Sequence, residues 1–313
     1  MEIISKIAET DLPSIILRSR LAFVPILEER RAEIEKIQRK TFVYNDKRLT
    51  RNELDVYYPL NSTLTKNEKT PILVFVYGGG FNTGSRQLPE PFSMGYRALG
   101  SFYAHHGFIT VIPDYRLVPE VTFPAASEDI RDAVNWIFAN ADIIGIPSIP
   151  APDMDAIFIM GHSAGSVHTK VLTLYPPLSS TVHPRLKGVI WFGGSWSFDI
   201  EGSVFRTEVA PQQYFGSQVQ QKEREPRALW NELSDEQIKN LPDILLVRAE
   251  REPDAVLISW EEMLPDIEKR RGEAPQAIIC KGHNHASPNW ALCSGQGEEW
   301  GEEVVKWMAA RLN

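Results

Sequence analysis

Cysteine is scarce in this chain: Cys280 and Cys293 are the only two in 313 residues. A scaffold stapled by several disulfides is therefore excluded, and two lone thiols fit a reducing compartment, so the expected location is cytoplasmic. Long apolar runs are also missing. No stretch reaches the ~18 residues of a membrane span, which sets aside an integral membrane segment. The apolar clusters near the start (Ile3-Ile4, Ile15-Ile16-Leu17, Leu21 to Leu27) are interrupted by Asp11, Pro13, Arg18, Arg20 and Pro25. A secretory leader needs an unbroken apolar segment. A mitochondrial one should be poor in acids, whereas Glu2, Glu9, Asp11, Glu28 and Glu29 lie here. Excess basic charge is absent too. Against 33 Lys and Arg stand 41 Asp and Glu, a net charge of −8, which is the wrong sign for a nucleic-acid partner or a polybasic anchor. Neither an internal repeat nor a low-complexity linker is found.

What is present is a chain 43% hydrophobic, enough for a sizeable core. Short apolar runs alternate with amphipathic stretches. Strands are expected at Leu54 to Tyr57, Ile72 to Tyr77, Phe108 to Pro113, Ala156 to Met160, Gly188 to Phe192, Ile244 to Val247 and Ala277 to Cys280. Helices are expected at Ala98 to His106, Ser127 to Asn140, Ala164 to Leu174, Ser259 to Arg271 and Glu298 to Leu312. This alternation predicts an α/β fold with a largely parallel central sheet flanked by helices. Two parts stand outside it: a helical start, roughly residues 1–40, expected to pack on the domain, and a polar, irregular stretch from Ser197 to about Leu241. Insertions of this kind commonly act as lids. In parallel sheets, function collects at the carboxyl ends of the strands.

After Ala156 to Met160 comes Gly161-His162-Ser163-Ala164-Gly165 and then an apolar helical run. This is G-x-S-x-G between a strand and a helix, the context in which a strained turn exposes a nucleophilic serine. The glycines leave room where the turn crowds its neighbours. A serine hydroxyl is a weak nucleophile until a base takes its proton. After the last strand the chain reads Gly282-His283-Asn284-His285-Ala286-Ser287-Pro288. Two histidines compete there, and His285 is favoured as the base, with His283 shaping the loop. A carboxylate holding the imidazole is expected after the penultimate strand, where Glu250, Glu252 and Asp254 are available and spacing does not choose among them. Acyl transfer also needs N–H donors for its oxyanion. One is the amide of Ala164, and others come from a glycine loop after an earlier strand. Such a loop follows the strand ending at Tyr77: Gly78-Gly79-Gly80-Phe81. A phosphate cradle is rejected there, since Gly84 is followed by Ser85 rather than Lys and no G-x-G-x-x-G exists.

Taken together, YGGGF (77–81), DYRLVPEVTFPAASEDIRDAVNW (114–136), GHSAG (161–165) and GHNHASP (282–288) resemble the hormone-sensitive-lipase-like carboxylesterases of the α/β-hydrolase superfamily. The likeness spans roughly residues 50–313. It implies an α/β-hydrolase fold over residues 46–313, with a helical cap made from residues 1–45 and an insertion at about 197–241. It implies Ser163 as nucleophile, His285 as general base, and Gly79, Gly80 and Ala164 as oxyanion donors. Matching L-L-V-x-G-x-x-D-P puts the acid on Glu252, with Asp254 next and Glu250 last. Two departures are visible: Tyr77 stands where the group has histidine, and Glu252 where it has aspartate.

The resemblance implies a serine hydrolase of carboxylic esters, short- to medium-chain or small aromatic. Trp191, Trp196, Phe198, Trp230 and Trp290 near the site loops or cap favour a bulky or aromatic ester. Tyr77, Phe81, His162 and Trp196 are expected to line the pocket. No metal or organic cofactor is required, and a homodimer is left open. The alternatives are a formamidase or other amidase, a lactone hydrolase, or a non-catalytic binding protein on the same fold. Such binding proteins generally lose the serine or histidine, whereas both are present here.

Overall fold

The computed structural model describes residues 2–7, 11–61, 65, 68–200 and 209–312. Its centre is an eight-stranded sheet in the order β1-β2-β4-β3-β5-β6-β7-β8. The strands are β1 (Arg39–Val43), β2 (Glu53–Tyr57), β3 (Thr70–Val76), β4 (Ile109–Pro113), β5 (Pro152–His162), β6 (Leu186–Phe192), β7 (Asp243–Arg251) and β8 (Gln276–Asn284). The two pairings made by β2 are antiparallel and all the others are parallel. Every residue of β3 and β4 is buried. Strands covered on both faces read as unbroken apolar runs, which is why they stood out in the sequence.

Six of the seven expected strands lengthen once the ladder is seen. The exception is the Phe108 to Pro113 run, observed as Ile109–Pro113. One strand was not expected at all. β1 is an edge strand of sequence RKTFV, exposed at nearly every position, so it lacks the apolar signal and carries the charge that protects an open edge. The helix after Ser163, Ala164–Leu174, falls where expected, and Met94–His105, Ala125–Ala139, Asp254–Arg271 and Glu299–Ala309 complete the layers.

The polar stretch expected to be irregular is not. Its residues 201–208 lie outside the described residues. Beyond them come four short helices, Val209–Phe215, Gln218–Arg224, Pro226–Glu232 and Asp235–Lys239. Two of them start with a capping box: Ser217 with Gln220, and Ser234 with Gln237. Each pair satisfies two backbone donors reciprocally, and Pro226 opens a third helix at a position that needs no N–H. Such local devices hold helices too short to show a 3.6-residue period. At the start of the chain, the helix Leu12–Glu29 is capped by Asp11, whose carboxylate accepts the Ser14 N–H at 2.9 Å. Buried Ser19 on that helix meets Asn284 at the end of β8, the Asn284 amide donating to the Ser19 hydroxyl at 3.0 Å. That contact ties the first long helix to the strand carrying the histidine loop. Among the described residues, no helix is long and apolar enough to cross a membrane.

Candidate active site

Ser163 sits between β5 and the helix Ala164–Leu174 with φ 55° and ψ −124°. A non-glycine residue at positive φ is strained and persists only where its surroundings hold it. Close packing around the turn does so. A Cβ on Gly165 would lie 2.2 Å from the Val76 carbonyl oxygen, and one on Gly161 2.3 Å from the Gly165 carbonyl. The turn therefore seats on β3, and Ser163 points out at the carboxyl end of the sheet.

His285 stands just past β8, 4% exposed. Its Nε2 is 2.9 Å from Ser163 Oγ, placed to accept the hydroxyl proton. Its Nδ1 donates to Glu252 Oε2. Glu252 follows β7; its other oxygen accepts the Ala249 N–H at 2.9 Å. Of the three carboxylates expected after Val247, Glu252 alone meets the imidazole. Glu250 instead accepts the Gly282 N–H at 2.7 Å, and Asp254 opens the helix Asp254–Arg271.

Sequence reasoning left His283 as the rival base, and the structure gives it other work. Its Nε2 donates to the Gly297 carbonyl at 2.8 Å, and Nδ1 accepts from the Ser287 hydroxyl at 2.9 Å. Burial pushes its pKa down to about 4, so it is a neutral brace. His162 is also neutral, since burial holds it well below the ordinary histidine range. It donates from Nε2 to the His285 carbonyl at 2.9 Å and so holds the backbone that carries the His285 ring.

Gly79 and Gly80 line the same cavity as Ser163, and Ala164 follows the serine in the chain. The N–H groups of Gly79, Gly80 and Ala164 have no protein acceptor among the described residues. Gly79 has φ 146°, and a Cβ there would sit 2.1 Å from the Thr83 carbonyl oxygen. The loop is thus folded back on itself as only glycine allows. Gly78 has a different reason. A Cβ on it would be 2.8 Å from Ser163 Cβ and 2.9 Å from the His162 carbonyl.

Tyr77 was expected to line the pocket and does not. It is fully buried, stacked on Tyr115 and Tyr96, and its hydroxyl donates to Asp114 Oδ1 at 2.8 Å. Tyr115 in turn donates to the Tyr77 carbonyl at 2.7 Å, while Arg86 pairs with Asp114. The DYR segment after β4 is therefore the buttress of the glycine loop. Phe81 and Trp196 are corrected likewise. Phe81 packs on Tyr214, Phe198 and His168, and Trp196 packs between Trp191 and Trp230 with the buried Lys170 ammonium 4.4 Å from its ring. Those rings are core because bulky aromatics near a site serve packing first. Of the expected pocket residues His162 does line it, and of the tryptophans expected near the site Trp290 does.

Ser163 and His285 open into a cavity of about 490 Å³. One wall is the helix Leu12–Glu29, through Leu12, Pro13, Ile16 and Arg20. Val209 and Ala210, Tyr96, and Asn289 with Trp290 complete it. Sequence reasoning missed Gly193, whose φ is 56° and whose Cβ would lie 2.8 Å from Glu252 Oε1. Its signal was the Gly193-Gly194 pair directly after β6. Among the described residues, no cluster of His, Cys, Asp and Glu could hold a metal ion.

Comparison with known proteins agrees with this architecture. The BD-FAE family model matches residues 54–177. Esterase B from Lactobacillus Rhamnosis superposes with a TM-score of 0.69 at 13% identity, covering 94% of this chain and 96% of that one. The hyperthermophilic esterase of Pyrobaculum calidifontis gives 0.64 at 20% identity, covering 99% and 96%. The tuliposide A-converting enzyme b1 of Tulipa gesneriana is 32% identical over 138 residues, 39% of this chain and 33% of that protein. The kynurenine formamidase of Drosophila melanogaster is 23% identical over 236 residues, 75% of this chain and 71% of that one. The chain spans only a small part of some relatives, 6% of a non-reducing polyketide synthase of Stereocaulon alpinum, which is 27% identical over 148 residues and 47% of this chain. On its sheet order, its strand–serine–helix turn and these structural likenesses, the chain has the α/β-hydrolase fold.

Proposed function

We propose that the protein is a carboxylesterase-type serine hydrolase acting on small esters through an acyl-enzyme. The observation that carries this reading is the continuous hydrogen-bonded line from Ser163 Oγ through the His285 ring to Glu252. In the first step His285 Nε2 takes the Ser163 proton as Oγ attacks the ester carbonyl carbon. The carbonyl oxygen gains negative charge and is held by the N–H groups of Gly79, Gly80 and Ala164, worth ~3–4 kcal/mol for each donor in comparable sites. Glu252 keeps the proton on Nδ1 of the neutral imidazole and stabilises the imidazolium. His285 then protonates the departing alcohol oxygen, leaving an acyl-serine. Water, losing a proton to the same nitrogen, attacks that acyl carbon; the proton returns to Oγ and the acid leaves. The helix Leu12–Glu29 and the short helices after residue 208 serve in this reading as a cap that closes the acyl cavity. Likeness to hormone-sensitive-lipase-like carboxylesterases in four motifs supports the assignment.

Formamide hydrolysis is the second reading, favoured by the Drosophila melanogaster kynurenine formamidase match across three-quarters of the chain. The same line of residues serves it, with an amine as leaving group. One experiment tests both: hydrolysis of 4-nitrophenyl acyl esters of increasing chain length, and of N-formylkynurenine, by wild type and Ser163→Ala. Ester turnover by wild type, abolished in the variant, is expected. Turnover that survives Ser163→Ala overturns the nucleophile, and preference for N-formylkynurenine selects the second reading.

A further inference from the structure

Among the described residues lining the cavity, Arg20 is the one arginine or lysine, and none is an aspartate or glutamate. In a chain with net charge −8, the charged side chain on this described lining is a cation. Among the described residues the Arg20 guanidinium has no hydrogen-bond or ion-pair partner, and its Nε is buried without an acceptor. It is held by aromatic faces instead, with Cζ 5.8 Å from the ring centres of both Phe92 and Trp290. Neighbouring Ser19 is bonded to Asn284 beside the catalytic histidine, so the backbone bearing Arg20 is in fixed register with the site. Asn289, on the same wall and 4% exposed, has a buried Oδ1 with no partner.

Leaving a buried polar group unpaired costs on the order of 1–3 kcal/mol, more when charged. A guanidinium braced on aromatic faces, its fork unspent, is suited to bidentate capture of a carboxylate. We propose that Arg20 binds a carboxylate on the substrate, so that the ester hydrolysed here carries an anionic group on its acyl or its alcohol side. The unpartnered amide of Asn289 marks the same wall as built for polar ligand atoms. A cavity of about 490 Å³ holds an ester of this kind. The inference rests on the ester-hydrolase reading and names its substrate class. The rival is an arginine that merely covers apolar rings and keeps its head in water.

The test compares matched esters at pH 8. Mono-4-nitrophenyl adipate against 4-nitrophenyl hexanoate places the carboxylate on the acyl side. 4-Acetoxybenzoate against its methyl ester places it on the alcohol side. In wild type, kcat/KM corrected for spontaneous hydrolysis is expected to favour the carboxylate at least tenfold in one pair. Arg20→Met should collapse that ratio and Arg20→Lys should keep part of it; being internal to each variant, the ratio is insensitive to partial loss of folded protein. No preference in either pair, or a ratio unchanged in Arg20→Met, overturns the inference. If none of the four esters is turned over, the ester-hydrolase reading fails, and calorimetry still decides the role of Arg20. Mono-4-nitrophenyl adipate binding Ser163→Ala at least tenfold tighter than Ser163→Ala/Arg20→Met supports the carboxylate site, and equal binding overturns it.

Discussion

Gly78 lies against Ser163: a Cβ on the glycine would come within 2.8 Å of the serine Cβ. The first glycine of the triplet leaves room for Ser163 to approach the strand, while Gly79 folds its loop back on Thr83. Both neighbours that Gly78→Ala would meet, Ser163 Cβ and the His162 carbonyl, are rigid parts of the turn, so one side must move. Displacement of a reacting atom by about 1 Å costs on the order of a hundredfold in rate. Gly78→Ala is therefore expected to lower kcat/KM for a 4-nitrophenyl ester about a hundredfold while the protein still folds. Wild-type rates in that variant would show that the approach is not needed.

Glu252 is separable from its neighbours by substitution. Glu252→Gln keeps the size but can hold the imidazole in the wrong tautomer, an effect of up to about 10⁴ in kcat where measured in a related arrangement. A fall of a hundredfold or more is expected, against less than threefold for Asp254→Asn. Equal losses in the two variants would return the assignment to an open choice.

Tyr77→Phe removes a buried hydroxyl whose acceptor is Asp114. The expected cost is about 1–2 kcal/mol of stability, read as a lower Tm. Because the ring is fully buried and off the cavity, kcat/KM should change less than threefold. A drop beyond tenfold with unchanged Tm would mean that the hydroxyl reaches substrate.

Acid should destabilise the fold through buried neutral histidines. Burial pushes His283 down to about 4 and His168 to about 3. Above roughly pH 6.5 both folded and unfolded chains carry these rings neutral, and they add no pH dependence. As pH falls from there towards 4, the unfolded chain binds protons that the folded one refuses, so stability falls. The His283 share approaches about 3 kcal/mol near pH 4. Tm measured from pH 8 to 4.5 should decline most steeply below 6.5, and the slope should be shallower in His283→Asn. Equal slopes in the two proteins would contradict the assignment.

Much of this was legible in the sequence because it depends on local pattern. The all-buried β3 and β4 read as apolar runs, and G-x-S-x-G between a strand and a helix located Ser163. The segment after Val247 offered three carboxylates, and only the fold brings Glu252, 33 residues from His285, to the ring. Less legible were contacts between distant segments. Nothing local says that Tyr77 points at Asp114 or that Arg20 faces a cavity beside Trp290. β1 carried no apolar signal, being an exposed edge, and the short helices after residue 208 are held by capping rather than by periodicity.

The most direct test of the account is covalent labelling of Ser163. A fluorophosphonate reacts only with a serine activated by a base, and its adduct is read by intact mass and peptide mapping. The account predicts one adduct per chain, on Ser163, absent in Ser163→Ala and strongly slowed in His285→Ala. No adduct on the wild-type protein, or one that persists in Ser163→Ala, would contradict it.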